Sequence, residues 1–188
     1  DGPPLGSDRL AGAFVEALLP AAEQAALAAR PDAAAEAIVA GAHGAFLDRM
    51  LLDAVGRRFR QVVVVGSGMD SRACRMDVPP QLRIIEVDEA AVHKAKEEVL
   101  AGVGSSARCL VQRLPAPDAF AQTAELPLEA LAAALSPQRP SLFLLEDVLG
   151  SWPTSVHEAA LAALGGLAAS GSRVVAQVRG GQAAAAAA

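Results

Sequence analysis

The sequence predicts an α/β protein: a Rossmann-like parallel sheet with flanking helices, preceded by an N-terminal helical segment. Three observations carry this. A β-branched run at residues 62–65 ends on a glycine turn, Gly66-Ser67-Gly68. Further short apolar runs follow, separated by helix-periodic stretches, the alternation that builds a parallel sheet through right-handed crossovers. The chain is 53% hydrophobic but only 3% aromatic, with no Tyr. A core of Val, Leu, Ile and Ala suits helices packed on a sheet buried on both faces.

The elements follow in order. Ser7 or Asp8 can cap a first helix that runs to Leu19 and stops at Pro20. A short second helix fits residues 21–29. A third runs from about Asp32 to Arg57, where Val39, Phe46, Leu47, Met50, Leu51 and Val55 recur at helical spacing and make one stripe. Residues 61–65 then form the first strand. Four more strands are predicted at 82–87, 108–112, 141–145 and 173–178. Helices at 89–101, 126–135 and 153–169 separate most of them, the last with Pro153 at its first position. The predicted organisation is a helical segment at 1–58, a Rossmann-like core at 59–182 and a tail at 183–188.

Composition excludes several classes. Net charge is −5, with no basic block, which argues against nucleic acid as a partner. Cys74 and Cys109 have no metal-ligand or redox-motif spacing; a structural pair between them stays open, but a reducing compartment is the simpler reading. No apolar run is long enough to span a membrane. The expectation is a soluble protein of the cytoplasm or an organelle interior. The first residue is Asp1 rather than Met, which reads as a processed or truncated chain, and the six closing alanines stand outside the functional argument.

The strongest local signal is the glycine turn with an acid about 20 residues beyond it. Glycines at the carboxyl end of a first strand let a ligand approach the backbone. The second strand ends Glu86-Val87-Asp88, and Asp88 stands where such folds place the carboxylate that accepts ribose hydroxyls. A carboxylate suits that task because it only accepts and can take two hydroxyl protons. The third glycine of the dinucleotide fingerprint is replaced by Ser71. That shifts the expected ligand from a nicotinamide dinucleotide, which needs close packing around a pyrophosphate, to an adenosyl cofactor without phosphates.

The wording of residues 61–75, Gln-Val-Val-Val-Val-Gly-Ser-Gly-Met-Asp-Ser-Arg-Ala-Cys-Arg, resembles the leucine carboxyl methyltransferase family. That family reads Gln-Val-Val, a Gly-Ala-Gly turn, an Asp and two arginines three apart, here Arg72 and Arg75. Glu86-Val87-Asp88, with Val92 and Lys96 beyond it, matches the family's second strand end. Residues 142–146, Pro153 and residues 171–175 match later elements. The resemblance covers roughly residues 40 to 178. It implies methyl transfer from S-adenosylmethionine to a carboxylate or similar oxygen, on a small molecule or a protein. It also implies a cofactor site at Gly66, Ser67, Gly68, Asp88, Leu114 and Glu146. In that site Asp88 would hold the ribose and Glu146 would face the ammonium group. No catalytic residue and no metal ligand is implied.

Four positions depart from the family pattern. His43 stands where the family has an Arg, ahead of Phe46-Leu47-Asp48. Arg113 precedes Leu114 where the family has an Asp that accepts from the adenine amino group. Arginine carries no acceptor, and at roughly 8 Å with an effective dielectric of about 20 it would repel a sulfonium by about 2 kcal/mol. The family's Glu-Gly pair is Glu146-Asp147, and its Tyr is Ser151, followed by Trp152. The family also continues for two strands beyond the fifth. Two readings therefore stand side by side. One is a methyltransferase using S-adenosylmethionine. The other is an inactive methyltransferase-fold subunit that serves protein partners in a larger assembly. His93 and His157 read as solvated helix residues.

Overall fold

The computed structural model describes residues 8–177. Ser7, the end of the predicted fifth strand at Val178 and the alanine tail at 183–188 lie outside them. Within the described residues are two compact units. The first comprises the chain up to Arg58 with Met69–Leu82 and Lys94–Leu110; the second comprises Phe59–Gly68, Arg83–His93 and the chain from Val111 onward.

In the first unit, α1 (Ala11–Leu18) and α2 (Ala21–Ala28) precede the long α3 (Ala33–Arg57). Asp8 opens the chain's approach to α1, its carboxylate accepting the Leu10 N–H at 2.9 Å. On α3 the buried residues are Leu47, Asp48, Leu51 and Val55. The predicted stripe was too long: Val39 and Phe46 are 68% and 64% exposed. Phe46 precedes Leu47 by one residue, about 100° around the helix, so it leaves the buried face. A short α4 (Arg72–Arg75) follows the glycine turn. Cys74 on it packs with Leu10, Phe14 and Leu100.

Asp48 is fully buried and accepts from two guanidinium groups. Arg75 grips it with two parallel bonds, Nη1 to Oδ2 at 2.6 Å and Nη2 to Oδ1 at 2.8 Å. Arg72 Nε adds a third at 3.1 Å. Arg72 also reaches Asp70 at 2.9 Å, and Arg75 Nε donates to Ser71 Oγ, whose hydroxyl donates to Asp8 at 2.6 Å. The two arginines of the motif are thus structural anchors for α4.

The second unit holds a five-stranded sheet in the order β3-β2-β1-β4-β5. Its strands are β1 (Gln61–Val65), β2 (Arg83–Glu89), β3 (Leu110–Ala116), β4 (Ser141–Leu145) and β5 (Arg173–Ala176). β1 pairs parallel with β2 and with β4, and β4 pairs parallel with β5. All five residues of β1 and of β4 are buried, as their unbroken apolar runs require of central strands. Side chains alternate across the sheet. Val63, Val65, Ile85, Val87, Leu114, Phe143 and Leu145 share a cluster with residues of α6 (Phe120–Thr123), α7 (Leu128–Ala134), α8 (Val148–Ser151) and α9 (Thr154–Leu167). Each fully buried Leu or Ile there contributes roughly 1.5–3 kcal/mol.

The third strand lies later than predicted: it begins at Leu110 and continues through Pro115. Pro115 is accommodated because β3 is the edge of the sheet, where a missing N–H is tolerated. At the opposite, amino end of the sheet Gln61 is a tie. Its amide donates to the Ser136 and Arg139 carbonyls and to Ser141 Oγ, and its carbonyl accepts from the Ser136 N–H.

Trp152 is core rather than surface. It is 3% exposed, meets Phe120 edge-on at 5.4 Å between ring centroids, and donates its indole N–H to the Phe120 carbonyl at 3.0 Å. Trp152→Phe should cost about 2 kcal/mol in urea unfolding, because it removes buried area and one of the two donors to the Phe120 carbonyl, which keeps only the Ala124 N–H. A loss within a few tenths of a kcal/mol would show that the indole bond contributes nothing net.

Candidate functional site

The site is built at the carboxyl ends of the central strands, in the second unit. The last paired row across them is Val87, Val65 and Leu145. One residue further along stand Asp88, Gly66 and Glu146. β1 is where the strand order reverses, with β2 and β3 to one side and β4 and β5 to the other. Open α/β sheets receive ligands at that crevice.

The turn is held by β2. Gly66 and Ser67 both donate their N–H to the Val87 carbonyl, at 2.9 and 3.2 Å. Gly68 donates its N–H to Asp88 Oδ2 at 2.7 Å. Gly66 and Gly68 have φ of +68° and +44°, a region costly to residues with a Cβ. At Gly66 there is also no room: a Cβ would lie 3.0 Å from Val148 Cβ and Cγ2.

Asp88 is 8% exposed. Its Oδ1 accepts the N–H of Glu89 at 2.8 Å while Oδ2 accepts from Gly68. A carboxylate offers about four lone-pair sites, so two such bonds leave capacity for a diol. Ser67 Oγ is buried and has no hydrogen-bond partner among the described residues. An unmet buried hydroxyl costs about 1–3 kcal/mol, which a ligand atom beside it would recover.

Arg113 is not a bare charge. Its Nε donates to Glu86 Oε2 at 2.9 Å, and Glu86 is only 2% exposed. Glu86 lies two residues before Asp88, the step that returns a strand to the same face. The sulfonium repulsion expected of Arg113 is therefore offset by a neighbouring carboxylate. Sequence reasoning had both residues but not their pairing, since adjacent-strand register is invisible until the sheet is placed.

Leu114 turns its side chain into the core cluster. Its carbonyl faces His93 Nε2 at 3.2 Å. His93 is 6% exposed, so its reading as a solvated residue is corrected: it lies in the first turn of α5 (Ala90–Gly102), where it meets β3. His157 is also partly buried, with Nε2 3.1 Å from the Trp152 carbonyl. Glu146 is partly buried at the end of β4. Asp147 adopts φ of +58°, the left-handed conformation that suits a glycine. Ser151 turns its hydroxyl back to the Val148 carbonyl at 2.8 Å.

Among the described residues there is no cluster of His, Cys, Asp and Glu fit to hold a metal ion. No helix among them is long and apolar enough to cross a membrane.

The family model described as leucine carboxyl methyltransferase matches residues 2–163. A provisionally named S-adenosyl-L-methionine-dependent methyltransferase of Frankia alni is 38% identical over 129 residues, covering 69% of this chain and 44% of that protein. A second, from Mycobacteroides abscessus, is 33% identical over 182 residues, covering 94% of this chain and 58% of that protein. The chain thus spans about half the length of the curated relatives it matches. Among solved structures, the mitomycin 7-O-methyltransferase MmcR is similar at 18% identity and a TM-score of 0.45, covering 95% of this chain and 52% of that one.

Proposed function

The chain belongs to the leucine carboxyl methyltransferase family, and from that premise we propose that it binds S-adenosylmethionine and serves methyl transfer to a carboxylate or another oxygen. The observation that carries the reading is the Asp88 carboxylate, fixed to the glycine turn at 2.7 Å and still able to accept. The residues fit the group. Asp88 would accept the ribose hydroxyls. Gly66 and Gly68 let the amino-acid portion approach the backbone, and the orphaned Ser67 hydroxyl would donate to it. Glu146 would face its ammonium, whereas Leu114, whose side chain packs in the core, would only back the site from behind. S-adenosylmethionine, when bound, supplies a methyl group on an electrophilic sulfonium. A carboxylate acceptor is already a nucleophile at neutral pH, so the protein's task there is orientation and the exclusion of water rather than proton removal.

The test is calorimetric titration of the chain with S-adenosylhomocysteine. Binding on the order of micromolar is expected. Asp88→Asn should weaken it roughly 10- to 100-fold, the loss of one charge-assisted bond worth about 1.5–3 kcal/mol. Silence at ligand concentrations on the order of millimolar would remove the cofactor reading. It would favour the alternative of an inactive subunit with protein partners, for which Arg113, a donor-only residue where the family pattern has an acceptor, is a supporting feature.

A further inference from the structure

We propose that Cys74 and Cys109 form a reversible disulfide within one chain, a redox-sensitive clamp on α4. Their separation in sequence carries no motif; the fold of the first unit brings them together. The Arg108 N–H donates to the Ala73 carbonyl at 2.8 Å, and each cysteine is the next residue along. Backbone dimensions then hold their Cα atoms within about 10 Å. A disulfide needs about 4.4–6.8 Å. That bound admits the disulfide range, and Cys109 lies on residues 103–109, a segment outside any helix or strand. Side-chain direction agrees. Arg108 and Leu110 are exposed, whereas Cys109 between them is half-buried, so it turns inward, and Cys74 is 5% exposed.

The more accessible Cys109 would react first. Its thiolate attacks a peroxide oxygen, the O–O bond breaks, and hydroxide leaves and is protonated to water. The Cys74 thiolate then attacks the sulfenic sulfur. The S–S bond forms, the S–O bond breaks, and a second water leaves. Two thiols give up two electrons and two hydrogens to one peroxide, which becomes two waters. A dithiol reverses the bond by exchange. The consequence falls on α4, whose Arg72 and Arg75 hold buried Asp48. Tethering α4 to the segment before β3 constrains the network in its paired state.

The experiment is peroxide treatment of the full chain, read by intact mass and non-reducing peptide mapping. Loss of two hydrogens by the monomer is expected, with one cross-linked peptide pair holding both residues, reversed by dithiothreitol. The oxidised chain should melt above the reduced one. In Cys109→Ser the cross-link is absent and the two samples melt alike. Capture of both thiols by iodoacetamide after treatment with peroxide and, separately, oxidised glutathione overturns the proposal. So does a disulfide found only between chains, or an oxidised chain whose melting does not rise.

Discussion

Asp48→Ala should destabilise the protein by about 3 kcal/mol in urea unfolding. Removing one side of a buried ion pair costs about 3–5 kcal/mol, because the remaining charge is left desolvated. Arg75 and Arg72 are each 10% exposed or less at the side chain, so water replaces little of what Asp48 supplies. The lower end of the range applies, since Arg72 keeps Asp70 and Arg75 keeps Ser71. Asp48→Asn should fall between, keeping the shape and losing the charge. The contrast is Arg30, whose pairs with Asp32 and Glu36 are about half exposed. Its replacement by Ala should cost under about 1 kcal/mol. Equal effects at the two sites would mean that burial does not set the strength of this network.

Gly66→Ala should cost about 2–5 kcal/mol. Two terms add. A Cβ residue held at φ +68° pays roughly 1–2 kcal/mol. The new atom would also sit 3.0 Å from Val148 Cβ, which is fixed to the backbone and packed in the main core, so relief requires α8 to shift at about 1–3 kcal/mol. Gly68→Ala separates the terms: its φ is also positive, but nothing lies within 4 Å of a Cβ there. It should therefore lose only about 1–2 kcal/mol. If the two variants unfold at the same denaturant concentration, the contact with Val148 is slack and the difference between the glycines is conformational only.

The parts legible in the sequence were those written locally. Residues 61–65 announce a central strand through an unbroken β-branched run, and the glycine turn with Asp88 about 20 residues on placed the rim before any coordinate did. The distance from Gly68 to Asp88 then bears the expected closeness out. What stayed hidden depends on registers between separate elements. The Glu86–Arg113 pair needs β2 beside β3, and the burial of His93 needs the same strand beside α5. The third strand was placed two residues early and ended at 112 rather than 116; that it can run through Pro115 depends on its being an edge, which one sequence does not state. The α3 stripe misled differently. Periodicity shows that a helix has an apolar side, and it does not show how much of that side another element covers.

The bond from Gly68 to Asp88 means that the proposed cofactor rim is tied together with no ligand in place. Loop-ordering entropy, about 1–2 kcal/mol per residue, is settled at folding and is not charged against association. A partner of this rim should therefore be met by a rigid cradle, with an encounter rate governed by diffusion and orientation and no slow rearrangement in between.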